Sequence, residues 1–526
     1  MTDTATRIRE LEDEIIKRDN TILMQQNSIN ELKRQLDNLT ELIVKMRHDK
    51  FGPSSEKTVK ADDGNQICLF NEVEIEADHT VAEPFKANAK GKVTPKKKRV
   101  RSDFIIGDLP IEEIVLSLDE ETRTCEVCSS RLKPIGKEYV REELQYIPAQ
   151  LKIIKYFRES YECPKCKHTD KPYIIKTIAP TPLMNHSLAS PSSVAHVMYQ
   201  KYVQGVPLYR QEKDWERMGI SLSRATMANW VIRCSEDFFE PIISHLKKKL
   251  LQRDIIHVDE TTVQVLKEDG KKPQTKSYMW LYRTGSECKT PIILYDYQPS
   301  RSGKNAADYL EGFNGYAHSD GYSGYNKLTE VIRCGCWAHL RRKFIDALPK
   351  AKVDGMGLTD SEIGVDHCNK LFAIEDGLKD LSPEDRYTKR LELEKPVLEA
   401  FWSWLEEVVP LKGSKLAKAV IYAQNQKSYM ENYLLDGRLS ISNNLAENAI
   451  RPFVVGRKNW LFADSPKGAD ASAAVYSIIE TAKANGLDAF YYLQMLLTNM
   501  TGWDHTDEYL EDLMPWSDFS KAQCQR

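Results

Sequence analysis

From Ile8 to Met46 apolar side chains recur every seven residues. Ile8, Ile15, Ile22, Ile29, Leu36 and Ile43 fill one seam position, and Leu11, Leu32, Leu39 and Met46 the other, with Arg18 and Gln25 interrupting the second seam. β-Branched residues at one position and leucine at the other favour a parallel two-stranded coiled coil, and polar interruptions can fix its register. The flanking positions are mostly polar, which leaves a stripe too narrow for a globular core. Residues 1–50 therefore read as a coiled-coil oligomerisation helix that makes a homodimer or higher oligomer; a helix folded back on its own domain is the alternative. The pattern stops at Phe51-Gly52-Pro53. Residues 51–103 carry little periodic apolar content and read as a flexible linker with a basic run.

Strand-like alternation over 139–146 and 150–161 lies between Cys125-x-x-Cys128 and Cys163-x-x-Cys166, and paired strands would bring the two pairs together. Four thiolates so placed close a tetrahedral site, so residues 104–180 read as a small β module around structural Zn²⁺. Chance pairing or a redox motif is the rival reading, and His168 reads as a surface residue. Over 181–250 the period becomes helical. Ser190-Pro191-Ser192 opens one helix, a second runs from Leu208 to about Met218, and after Gly219–Ser223 a third begins at Arg224. Helix, glycine turn and serine-capped helix is the form of a helix-turn-helix, with Arg224 and Asn229 as its candidate DNA contacts. Plain helical hairpins share that form.

Ile255 to Val258 reads as a short buried strand that delivers Asp259 at its end. Strand-like pieces follow at Thr262–Leu266, Tyr278–Arg283 and Ile292–Tyr295, then a helix from Lys304 to Phe313 and a strand from Tyr316 to Asp320. Another strand, Val331–Cys336, leads into a helix at 336–344. This order predicts a mixed sheet with helices packed on it, as in ribonuclease-H-like folds, with Asp259 and Asp320 at adjacent strand ends. The core would span 251–345 and 441–470, split by a helical insertion at 346–440 that holds Phe401, Trp402 and Trp404, and followed by a helical segment at 471–526. Asn443 is placed to cap a helix on which Asn444, Glu447, Asn448 and Arg451 share one face, just before Pro452. The fold class is thus multidomain α+β.

Composition changes this picture little. No apolar run approaches the roughly 18 residues that suggest a membrane span, so the chain is expected in the cytoplasm. Eleven cysteines, four of them in C-x-x-C pairs, favour a reducing compartment over a disulfide framework. The net charge of −3 hides an asymmetry: 62–83 is mostly acidic where charged, whereas Lys86, Lys90, Lys92, Lys96, Lys97, Lys98, Arg99 and Arg101 follow without an acid among them. A balanced total therefore does not exclude nucleic acid, although a solvated spacer explains the run equally well.

Three acids stand in marked surroundings: Asp259 in HVDET, Asp320 in SDGYSGY and Glu447 in NNLAENAIRP. Close carboxylates raise one another's pKa and repel unless a cation neutralises them. Mg²⁺ or Mn²⁺ suits oxygen ligands, and two such ions about 3.5–4 Å apart serve both the attacking and the leaving oxygen of a phosphoryl displacement. With 77 acids in the chain, spacing alone says little, and the flanking motifs carry the reading.

In order, the N-terminal zipper, the paired C-x-x-C segment with YIPAQLKIIKY (146–156), HVDET, SDGYSGY, CWAHLRRKF (336–344), NNLAENAIRPFVVGRKNWLF (443–462) and VYSIIETAKANGLDAFYYLQMLL (475–497) resemble a transposase of the insertion-sequence-66 family. The resemblance implies a metal-dependent enzyme of the aspartate-aspartate-glutamate class, with Asp259, Asp320 and Glu447 matching its acids. It implies double-stranded DNA partners, the terminal inverted repeats and the target, accessory proteins of the same element, and a place at the bacterial nucleoid. On it, Arg451, Arg457 and Lys458 would hold phosphates. Trp460 would stack on an unpaired base or anchor its helix in the core, and His339 would contact phosphate or pack within its helix. The rival functions are a metal-dependent nuclease of the same fold that stops at hydrolysis, and a noncatalytic DNA-binding protein.

Overall fold

A computed structural model describes residues 151–162, 174–176, 178–349 and 357–525, with eight residues between Glu14 and Gln25. The described residues from Ile154 onward fall in one compact unit. The linker at 51–103, Cys125, Cys128, Cys163, Cys166 and His168 lie outside the described residues, as do most heptad positions. Of the strand expected at 150–161, only Ser160–Glu162 (β1) forms, paired antiparallel with Ile174–Lys176 (β2). Residues 151–159 are not a strand: they expose Ile153, Ile154, Tyr156 and Phe157, and among the described residues no neighbour supplies the ladder that a strand requires.

Three helices follow: Pro191–Tyr202 (α1), Leu208–Arg217 (α2) and Arg224–Cys234 (α3). Ser190 caps α1 in a capping box with Ser193, ahead of Pro191 in the first turn, which satisfies amides that the helix leaves free. Ser223 caps α3 by accepting from the Thr226 amide, and Gly219 turns the chain between α2 and α3 at φ 89°, a conformation that side chains resist. A π-helical turn at Ser235–Phe239 leads into Glu240–Leu251 (α4).

The sheet comprises Ile255–Gln264 (β3), Lys276–Thr284 (β4), Ile293–Gln298 (β5), Tyr316–His318 (β6) and Ile332–Cys334 (β7), in the order β5-β4-β3-β6-β7. β3, β4 and β5 form an antiparallel meander, while β6 and β7 run parallel to β3. Gly303–Tyr309 (α5) precedes β6, and Trp337–Asp346 (α6) follows β7. Two expectations need correcting here. β6 stops at His318, so Asp320 lies two residues beyond its strand rather than at its end. Asp259 lies within a ten-residue strand rather than at its end, because β4 pairs with β3 along 256–264 whereas β6 pairs only with 255–257. Asp259 thus sits just past the point where β3 loses its neighbour on one side.

Among the described residues the insertion contains four α-helices, Asp360–Leu378 (α7), Pro383–Leu393 (α8), Lys395–Glu407 (α9) and Lys415–Met430 (α10), and a 3-10 turn at Asn432–Leu435. Leu371, Phe401, Trp402 and Leu405 pack with Trp337 and Phe344 of α6 in a core of their own. The chain then returns to the sheet in Asn444–Trp460 (α11), which packs on β3 and β4. Ala446, Ala449, Ile450, Phe453 and Gly456 are its buried positions, a helical stripe that survives Pro452. Pro466–Ala484 (α12) covers the outer edge of β5. There the Ile293 amide donates to Thr481 Oγ1 at 3.0 Å and the Tyr295 amide to Ser477 Oγ at 2.8 Å, while the Thr481 hydroxyl donates to the Ile293 carbonyl at 2.8 Å. These hydroxyls stand in for a missing strand and close an edge that would otherwise recruit another chain. Ala489–Asn499 (α13), Asp507–Asp512 (α14) and Asp518–Cys524 (α15) complete the chain. No helix among the described residues is long and apolar enough to cross a membrane.

Candidate active site

Sheet register and charge place two of the three acids in one neighbourhood. His257 pairs with His318 across the parallel β3–β6 ladder, and Asp259 and Asp320 each lie two residues farther along. Side chains alternate along a strand, so Asp259 shares the face of His257. The two imidazoles stack beneath it, with centroids 4.2 Å apart and planes 10° from parallel. Burial pushes His257 down to about 3, against the bond from Asn443, and holds His318 well below its ordinary value, with His257 as the next cause. Both rings are therefore neutral, and His257 Nδ1–H donates to Asn443 Oδ1 at 2.9 Å.

Asn443 brings in the third acid. It was expected to cap α11 with its side chain, yet it makes no such bond, and its backbone at φ −93° and ψ 20° lacks the extended conformation of a capping residue. Its side chain spans the face of β3 instead, accepting from His257 and donating Nδ2–H to the Val258 carbonyl at 2.8 Å. Its amide donates to Cys336 Sγ at 3.2 Å. Arg283 Nη1 donates to the Leu445 carbonyl at 3.1 Å. The first turn of α11, which carries Glu447, is thereby fastened to β3, β4 and the start of α6.

The electrostatics follow from this crowding. The carboxyl of Asp259 is held well above the usual carboxylate range, first by burial, then by Glu260 and by Asp320 and Glu447, against a 2.8 Å bond that Oδ1 accepts from the Glu260 amide. Glu260 is itself pushed up by burial and by Asp320, and pulled back by the Tyr325 hydroxyl and by Arg301, whose Nε donates to Oε1 at 2.7 Å. Asp320 Oδ1 accepts from the Tyr322 amide at 2.9 Å. Glu447 lies between two side chains of α6, with Oε1 3.5 Å from His339 Nδ1 and Oε2 3.7 Å from Arg342 Nη2. Three acids distant in sequence thus share one electrostatic neighbourhood, in which Arg301 and Arg342 sit at the edges and leave the Asp259 carboxyl without a cation partner among the described residues, an arrangement suited to a divalent cation.

The other expected site residues are distributed as follows. Arg451 and Lys458 are exposed on α11. Arg457 is half-buried and turns Nη1 to Thr261 Oγ1 and Thr262 Oγ1, each at 3.0 Å, and to the Thr262 carbonyl, so it ties α11 to β3. Trp460 packs edge-on against Phe453 with centroids 5.5 Å apart. Arg224 and Asn229 are exposed on α3, and the Arg224 amide donates to Glu212 Oε1 of α2 at 2.9 Å. Sequence reasoning assigned no role to Glu260, His257, Arg342 or Cys336, and assigned Asn443 the wrong one. Only Cys336 offered a signal, its C-x-x-H spacing to His339.

Over residues 186–471, more than half of the chain, the sequence matches the Transposase IS66 family. The chain belongs to that family. Asp259, Asp320 and Glu447 all lie within this IS66 transposase match. Residues 122–167, which contain the four cysteines of the two C-x-x-C pairs, match the zinc-finger binding domain of transposase IS66. Residues 477–516 match the IS66 C-terminal element, and 38–114 match a segment described as Transposase C of IS166 homeodomain. The uncharacterized protein y4qI of Sinorhizobium fredii is 30% identical over 503 residues, covering 92% of this chain and 89% of its own. A second uncharacterized protein of that organism, y4hP, is 28% identical over 497 residues, 90% of this chain and 87% of its own. Membership of the family makes DNA the substrate class.

Proposed function

We propose that this IS66 transposase hydrolyses a phosphodiester at each end of its element and then joins the freed 3′-hydroxyl to target DNA, with Asp259, Asp320 and Glu447 as its catalytic acids. The supporting observation is the raised Asp259 carboxyl, which feels both Asp320 and Glu447 although the three are far apart in sequence. A meander followed by two parallel strands supports the reading of residues 251–345 and 441–470 as a ribonuclease-H-like core. The segments 1–50, 51–103, 104–180, 181–250, 346–440 and 471–526 then serve as oligomerisation helix, linker, zinc module with Cys125, Cys128, Cys163 and Cys166 as ligands, DNA-reading helices, insertion and C-terminal segment.

The donor set fits hard divalent ions: oxygen atoms only, mutually repelling, with Glu447 Oε1 buried and lacking a hydrogen-bond partner among the described residues. Two Mg²⁺ or Mn²⁺ ions bound there would activate the attacking oxygen and stabilise the leaving one. The chain's own residues orient the acids: the Glu260 amide holds Asp259, the Tyr322 amide holds Asp320, and Asn443 sets the helix that carries Glu447. Arg451 and Lys458 face solvent where phosphates would approach, and Arg457 and Trp460 shape the far end of the same helix.

Purified protein with Mg²⁺ and a duplex carrying an element end should produce nicks, and a target duplex should yield joined product. Asp259→Asn should abolish both; undiminished cleavage by that variant removes the mechanism. Nicking without joined product would identify a nuclease that stops at hydrolysis.

A further inference from the structure

The first turns of α6 and α11 face one another. Cys336 occupies the N-cap position of α6, His339 lies one turn on, and Glu447 is in the first turn of α11. Cys336 Sγ, a ring nitrogen of His339 and a carboxylate oxygen of Glu447 all lie within 4.8 Å of one another. His339 Nδ1 and Glu447 Oε1, 3.5 Å apart, are both buried, and neither has a hydrogen-bond partner among the described residues. At 3.5 Å the two atoms meet as an ion pair only if His339 is protonated; a cation between them would satisfy both, and buried polar atoms left without a hydrogen bond cost about 1–3 kcal/mol each.

The geometry of the cluster is that of a metal site. The C-x-x-H spacing sets thiol and imidazole on one helix face. Zinc bonds of about 2.0–2.3 Å in a tetrahedron space the ligand atoms roughly 3.3–3.8 Å apart. The three atoms therefore need to draw in by about 1.5 Å at most, within reach of side-chain rotations. Sulfur and nitrogen beside a single carboxylate select a borderline-soft ion such as Zn²⁺ over Mg²⁺. The frame is preset: the Trp337 amide donates to the Ile441 carbonyl at 3.1 Å, and the Asn443 amide donates to Cys336 Sγ at 3.2 Å. The latter is the kind of outer contact that steadies a metal-bound thiolate. Burial pushes the Cys336 thiol up to about 11, so the thiolate forms only against a bound cation, with the N-terminus of α6 beside it.

We propose that Cys336, His339 and Glu447 form a binding site for one zinc-class divalent ion, distinct from the four-cysteine module and sharing Glu447 with the carboxylate centre. Cys336 binds as the thiolate, its proton passing to solvent, and the fourth position is left to water. The site requires no step of the proposed reaction, so its test stands apart from cleavage.

Full-length protein dialysed against Zn²⁺ and freed of excess should carry one more zinc per chain than Cys336→Ser combined with His339→Gln, counted by elemental mass spectrometry. Asp259→Asn should keep that ion. With Co²⁺ in place of Zn²⁺, Cys336→Ser alone should remove one component of the thiolate-to-metal absorption while the rest, from the four-cysteine module, remains. Equal counts in wild type and double variant overturn the site, as does loss of the ion in Asp259→Asn, which would put it among the carboxylates instead. If the double variant does not fold, His339→Gln alone decides, with at least a tenfold weaker Zn²⁺ affinity expected and unchanged affinity refuting. Normal cleavage by Asp259→Asn with the extra zinc still present would sink the proposed reaction and leave this site standing.

Discussion

Asn443→Ala isolates the device that sets α11 against the sheet. Asn443 is 1% exposed, and its side chain makes two buried bonds, with His257 Nδ1 at 2.9 Å and the Val258 carbonyl at 2.8 Å. Truncation leaves both partners without a replacement in the interior. Each stranded group costs about 1–3 kcal/mol, so the expected loss is about 2–4 kcal/mol once partial relaxation is allowed. Asn444, the next residue, is exposed at the start of the same helix, and Asn444→Ala should change stability by no more than about 0.5 kcal/mol. Urea denaturation followed by tryptophan fluorescence, with matched slopes in the three proteins, supplies the comparison. Cleavage should fall in Asn443→Ala at temperatures where the protein is still folded, because Glu447 rides on the helix that Asn443 fastens. If Asn443→Ala and Asn444→Ala are equally stable, the side chain does not hold the helix and the account of how Glu447 is placed is wrong.

The remaining expectations concern the scaffold. Arg390 is fully buried, pairs with Glu375 at 2.5 and 2.9 Å, and donates to the carbonyls of Tyr433, Asp436 and Leu439; Arg390→Ala should cost about 3–5 kcal/mol by stranding that acid, and an unchanged urea midpoint would refute it. Glu394 is raised above its ordinary 4.5 by burial and then by Glu375, so the folded state binds its proton more tightly than the unfolded chain does. Stability should therefore fall as pH rises from about 4.5 through the raised folded value, at about 1.4 kcal/mol per pH unit. Glu394→Gln should abolish this fall, and parallel melting curves against pH in wild type and variant would contradict it. Ser477→Ala with Thr481→Val removes the hydroxyls that meet β5, and the Ile293 and Tyr295 amides should lose hydrogen-exchange protection at least tenfold while β3 amides keep theirs.

The mixed sheet was legible because β4 and β5 are apolar runs of strand length, and the helices because serine caps and glycine turns punctuate them. The extent of β3 was not. Its burial passes from complete at Ile255–Val258 to partial at Asp259–Thr262, since the strand runs out beyond β6, and the apolar pattern that announces a strand fades where its neighbour ends. Asn443 misled for a different reason. Its residue type favours capping, but a buried imidazole and an unpaired strand carbonyl compete for the same amide, and the interior penalty for leaving them bare exceeds the roughly 1 kcal/mol that a cap contributes. Cys336 passed as the last apolar residue of a strand, because a thiol reads as a small hydrophobe until an imidazole is set beside it.

The distance in sequence between Asp320 and Glu447 carries no geometric information, and the insertion shows why. The chain leaves the sheet where the Gly335 amide donates to the Tyr429 carbonyl at 2.8 Å and returns where the Trp337 amide donates to the Ile441 carbonyl at 3.1 Å. Trp337 Nε1 adds a 2.9 Å bond to the Met430 carbonyl, and Arg390 gathers the returning strand of chain from Tyr433 to Leu439. Exit and re-entry are thus joined by hydrogen bonds, and four helices with a core of their own fill the excursion between them. Loop-closure entropy grows only logarithmically with length, about 0.6 kcal/mol per doubling, so lengthening the excursion costs little once its ends are pinned. What must be preserved is the local chemistry on each side of it: the residues after β6 that hold Asp320, and Asn443 ahead of α11. That is why flanking motifs, and not spacing, single out the proposed acids.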